Sequence, residues 1–135
     1  MHEQTILEER LNAISHGIGA VLGVAALISL IVYVDASIPF GLFSVIVYGL
    51  SLIMLFLAST LYHSTRDEKR KHYFRIVDHV SIYFLIAGTY TPVLLISLTD
   101  SSGWTLFWVV WGIASFGVIL KLFFTGRFEV FSTLL

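Results

Sequence analysis

The chain has 135 residues, 57% of them hydrophobic and only 13% charged, with a formal net charge of −1 and no cysteine. That balance excludes an ordinary soluble domain, whose charged share is about a quarter, and it gives nucleic-acid binding no electrostatic support. It also excludes disulfides and thiolate metal sites, and a mean hydropathy of +0.89 points to the bilayer as solvent.

The first sixteen residues do not read as a signal peptide, because Glu3, Glu8 and Glu9 stand against a single Arg10. Thr5 and Glu8 fit a capping box, and Leu7, Leu11, Ile14 and Ile18 follow at helical spacing. A short amphipathic helix lying on the membrane surface and running into the first span is the expectation. Four runs free or nearly free of charge then follow, at 17–34, 40–62, 76–98 and 104–124. Each approaches the ~20 residues that a helix needs to cross the hydrocarbon. Continuous rather than alternating hydrophobicity favours helices over barrel strands. The fold class expected is therefore an all-α membrane bundle forming one domain over 1–135, with four spans and the start of a fifth.

Within the first span, Gly19 and Gly23 are four apart and permit close helix approach, although glycine-rich spans also show this spacing by chance. Pro92 is expected to bend the third span in its outer half, with Thr89 available to bond a freed carbonyl. Trp104, Trp108 and Trp111 make a stripe suited to packing and interface anchoring.

Arg10, the run Arg66, Lys69, Arg70, Lys71 and Arg75, and the pair Lys121 and Arg127 all fall on one side of this topology. The two opposite loops hold no Lys or Arg, so the positive-inside rule makes the basic side, and the N-terminus, cytoplasmic.

Polar residues gather at the same side. Ser59 and His63 are four apart and share one helix face. Asp78 and His79 open the third span, while Asn12, Ser15 and His16 enter with the first. Imidazole and carboxylate are zinc ligands, a catalytic zinc takes three protein ligands plus water, and a hydroxyl one turn away can stabilise an oxyanion. A carboxylate within a span costs about 2.5–3.5 kcal/mol on insertion scales, which marks it for function. The alternative stands beside it. These groups lie within a turn of a basic segment, where Asp78 can pair with Arg75 and His79 can rest among headgroups.

Four stretches carry a resemblance: "EERLNAISHGIGA" at 8–20, "STLYH" at 59–63, "DHVSIYFLIAGTYTP" at 78–92 and "GRFEVFSTLL" at the C-terminus. Together they resemble the hemolysin III family of bacterial membrane proteins, related to the progestin and adipoQ receptors and more widely to alkaline ceramidases. The resemblance implies a seven-helix bundle in the bacterial inner membrane with a cytoplasmic N-terminus. It further implies a zinc held by three histidines near the inner face, with an aspartate positioning a water on the metal. His63 falls on the second-helix ligand, Asp78 on the aspartate and general base, and Ser59 on the motif serine. The implied activity is zinc-dependent hydrolysis of a lipid-like amide or ester, with membrane lipids as partners. A haemolytic or pore-forming protein and a lipid-sensing regulator are the alternatives. The remaining two ligands implied form a His-x-x-x-His pair, which this sequence does not contain; a truncated form whose own zinc binding is weak or absent is the expectation.

Overall fold

Thr5 begins the first helix. Its backbone N–H donates to Glu8 Oε2 at 2.6 Å, and the Glu8 N–H donates to Thr5 Oγ1 at 3.3 Å, so two otherwise orphaned donors are satisfied reciprocally. The computed structural model describes residues 5–98 and 101–124. It contains α1 (Ile6–Tyr33), α2 (Gly41–Ser64), α3 (Glu68–Pro92) and α4 (Ser101–Phe124). A wide π-helical turn at Val93–Ser97 prolongs α3. No strand occurs among the described residues. The fifth helix expected near the C-terminus lies outside them.

Helix α1 has 28 residues and is therefore about 42 Å long, at 1.5 Å per residue. A hydrocarbon core is ~30 Å thick, so the first two turns or so stand outside it. The amphipathic segment and the first span are one continuous helix. At its far end Asp35 Oδ1 accepts from the Ser37 N–H at 2.8 Å, starting a tight turn into α2. That bond holds the Asp35 carboxyl below its usual range. The contribution is present above the ordinary carboxylate pKa and is lost as pH falls through the lowered one.

The largest departure from the hydropathy reading is at α3. The charged run begins the helix instead of linking two spans. Asp67 caps it by accepting the Arg70 N–H at 3.0 Å, and Glu68 occupies the first turn. Lys and Arg are good helix formers. A window tuned to hydrocarbon registers only the buried stretch, which explains the early start.

Pro92 closes α3, and the π-helical turn follows it directly. Thr89 does not take the carbonyl that proline frees, which belongs to Gly88. Its hydroxyl donates to Leu85 O at 2.7 Å, and Thr91 donates likewise to Ala87 O at 2.8 Å.

Each helix packs along its neighbour in sequence, and the backbone of α1 comes close to neither α3 nor α4. The helices thus stand as an open row. Small residues set the spacing within it. A Cβ on Gly19 would lie 2.8 Å from the Phe56 ring, and one on Gly23 would lie 3.2 Å from Ile53. The Gly19 and Gly23 pair is therefore a packing face against α2. Between α3 and α4 the fully buried Thr91 accepts from Trp111 Nε1–H at 3.1 Å, beside a core of Leu94, Leu95 and Phe107. Trp111 packs inward while Trp108 is exposed.

Leu22, Ile28, Val32, Ile113 and Phe116 face outward. In water this surface would be a liability; against acyl chains it costs nothing. Among the described residues four helices are long and apolar enough to cross a bilayer. Serine and threonine hydroxyls turn back on their own helices, as in Ser44 to Phe40 O at 2.7 Å and Thr60 to Phe56 O at 2.7 Å. Among the described residues no buried side-chain polar atom lacks a partner, as hydrocarbon requires. The chain is an all-α, multi-pass membrane protein.

Candidate functional site

The basic end of the row brings together the start of α1, the end of α2 and the start of α3. On α2, Ser59 and His63 are one turn apart. On the facing side of α1, Glu9 and His16 are two turns apart, so they too share a face. The two faces meet in two rungs.

In the first rung, His63 Nδ1 lies 2.8 Å from Glu9 Oε2. The other oxygen, Oε1, accepts from Lys71 Nζ at 2.7 Å, so one carboxylate ties α1 to α2 and α3 together. The side chains of His63, Glu9 and Lys71 are 9%, 20% and 29% exposed. A carboxylate has no proton to give. Nδ1 is therefore the donor, and in neutral His63 the lone pair sits on Nε2. The Lys71 ammonium also lies 4.9 Å from the centre of the Tyr62 ring, and that ring is 4.7 Å from His63.

In the second rung, His16 Nδ1 and Ser59 Oγ are 2.6 Å apart. Ser59 is only 3% exposed, so its hydroxyl depends on this partner. Either group can donate. The two imidazoles approach edge to face, with centres 5.8 Å apart.

Asp78 stands apart from these rungs. It is half-buried on α3, and among the described residues no hydrogen bond or ion pair joins it to His63 or Ser59. It lies within electrostatic reach of His79, which also feels Lys121 of α4 and Arg75. The structure thus brings Ser59 and His63 onto one seam with α1, and leaves Asp78 on the neighbouring one. No group of three or more His, Cys, Asp or Glu among the described residues is placed to hold a metal ion.

Glu9 is the candidate-site residue that the sequence left without a chemical role: it stood there as an acidic residue near the N-terminus and within the stretch at 8–20 that carries the resemblance. His16 was recognised as polar but given no partner. The signal was the i, i+7 spacing of Glu9 and His16, which places both on the helix face that carries Gly19 and Gly23 towards α2.

A sequence model of the haemolysin-III related family matches residues 4–135. The chain belongs to that family. Among curated members, Hemolysin-3 of Bacillus cereus is 48% identical over 132 residues, covering 97% of this chain and 60% of that protein. The Hemolysin-3 homolog of Bacillus subtilis (strain 168) is 45% identical over 130 residues, covering 96% and 61%. A more distant likeness, 29% over 89 residues, joins the chain to the human monocyte to macrophage differentiation factor, with 62% and 37% covered. The chain therefore spans about 60% of the length of the bacterial haemolysin-III relatives it matches. No solved structure matches it.

Proposed function

We propose that this chain carries the first- and second-helix side of a zinc hydrolase site, opening at the cytoplasmic face of the bacterial inner membrane and acting on a lipid-like amide or ester. The carrying observation is the Glu9–His63 bond at 2.8 Å. Metal-ligating imidazoles commonly donate their second N–H to a carboxylate, which fixes the tautomer and raises ligand basicity. Glu9 does this to His63 and leaves Nε2 free for an ion. The fit is partial. His63 is suited to one ligand position, and the other direct donors would come from outside the described residues.

When bound, zinc polarises a carbonyl and lowers the pKa of a bound water to about 7. The protein's own part is positional. His16 holds the Ser59 hydroxyl in one direction, towards developing negative charge on a substrate oxygen. Asp78 is assigned the general base by family resemblance, its half-buried position on α3 keeping it at the same end of the membrane. Orientation follows from the basic residues at this end. Zinc content measured by elemental mass spectrometry, in protein that also carries the remaining donors and holds zinc in its parent form, tests the reading: His63→Ala is expected to lose the metal. Equal stoichiometry in that variant and the parent would refute it.

A second reading, membrane lysis, is favoured by the name of the 48% identical relative, Hemolysin-3. It expects purified protein to release a trapped dye from vesicles faster than an unrelated helical bundle. Equal rates would remove it.

A further inference from the structure

Beside the Glu9–His63 rung lies a cavity of about 620 Å³. Its lining is of two kinds. Ile6, Ala13 and Ile14 of α1 offer hydrocarbon, while Arg10, Arg66 and Lys71 offer charge. Lys71 is committed to Glu9. Arg10 and Arg66, from α1 and the α2–α3 link, are both exposed. Among the described residues neither guanidinium has a hydrogen-bond or ion-pair partner. Three cations and one carboxylate, Glu9, leave the cavity positive.

Position decides what complements it. Helix α1 overshoots the hydrocarbon by roughly two turns at this end, so Arg10 sits at headgroup depth and Ile14 close to the acyl boundary. A ligand that is anionic at one end and apolar at the other, already present at this depth, is a phospholipid. The geometry points to a binding site for one anionic phospholipid, its phosphate bridging Arg10 and Arg66 and its upper chain carbons against Ala13 and Ile14. Guanidinium suits this task because its planar fork binds phosphate oxygens in pairs. Glu9 and His63 line the same cavity, so the lipid site adjoins the proposed zinc position, but neither arginine takes part in the zinc reading and lipid binding can be measured without metal.

The test uses the whole chain in neutral detergent at about 0.15 M salt, where charges not in contact are screened within ~8 Å. Dihexanoyl-phosphatidylglycerol is titrated against dihexanoyl-phosphatidylcholine, and the thermal unfolding midpoint is followed. Saturable stabilisation by the glycerol lipid, and little by the choline lipid, is expected. The Arg10→Gln/Arg66→Gln protein is expected to bind about 25-fold more weakly, from about fivefold for each arginine near an anionic headgroup. Lys69→Gln/Arg70→Gln removes the same charge from outside the cavity and is expected to leave the titration unchanged. Should the first pair fail to fold, Arg66→Gln alone carries the test, with about a fivefold loss expected. Equal weakening by both pairs would overturn the site in favour of a diffuse surface field. Equal stabilisation by inorganic phosphate would overturn the lipid assignment.

Discussion

Glu9→Gln protein is expected to hold zinc 10- to 100-fold less tightly than the parent, roughly the range seen when outer-sphere partners of ligating histidines are removed. The amide keeps the shape of the carboxylate and can still accept from His63 Nδ1–H. It loses the negative charge that makes Nε2 a better donor, and it no longer balances Lys71, whose ammonium lies 2.7 Å from Glu9 Oε1. Competition against a chelator of known affinity measures the change. A second readout needs no metal. Nitrogen chemical shifts of the His63 ring in Glu9→Leu should show protonation moving from Nδ1 to Nε2, because the carboxylate bonded to Nδ1 has gone. Unchanged shifts and unchanged affinity together would show that Glu9 serves only as an ion-pair partner.

The second large effect concerns the row of helices itself. Gly88 of α3 is buried, and a Cβ built there would collide with Ser51 Oγ and lie 2.9 Å from Ser51 Cβ, with Val47 O at 3.5 Å. Ser51 is itself buried and bonded to Tyr48 O at 2.8 Å, so it cannot simply swing away. Gly88→Ala should push α3 off α2 and destabilise the fold by about 1–3 kcal/mol, the usual cost of overpacking. Gly112 of α4 is the control, since a Cβ there meets nothing within 4 Å. Gly112→Ala is expected to stabilise by roughly 0.5–1 kcal/mol through helix propensity alone. Unfolding in mixed micelles, followed by tryptophan fluorescence, reports both. A stable Gly88→Ala protein would mean that the α2–α3 contact is looser than its geometry.

Separation of α2 from α3 would also reach the candidate site, because Lys71 is the α3 residue bonded to Glu9. Packing at mid-membrane and charge pairing at the interface are thus coupled along the same two helices. Gly88→Ala is expected to weaken zinc retention as well as stability, whereas Gly112→Ala leaves retention alone.

Much of this was legible without coordinates. Runs of uncharged residues located the four spans, and the basic residues marked one end of all of them. The i, i+4 spacing put Ser59 and His63 on a common face. The family resemblance suggested roles for Ser59, His63 and Asp78, which the zinc measurements above test. Other features were not legible, for identifiable reasons. The start of α3 depends on the Asp67 cap and on charged residues that favour helix outside the bilayer, which hydropathy does not register. The partner of the Thr89 hydroxyl depends on local rotamers near Pro92, and so its bond to Leu85 O, not Gly88 O, could not be read from spacing.

What the amino-acid order determined by itself is the four membrane-crossing segments found among the described residues and the end at which their polar groups collect. Both follow from one-dimensional quantities, namely apolar length against bilayer thickness and the placement of charge. Only the tertiary structure decided that Glu9 meets His63, that His16 meets Ser59, and that Asp78 stands on a separate seam. Those pairings depend on how far each helix is rotated about its axis and how closely its small residues let it approach the next. Angle and depth of that kind are fixed by packing between helices, where a turn of 100° per residue moves a side chain from partner to lipid.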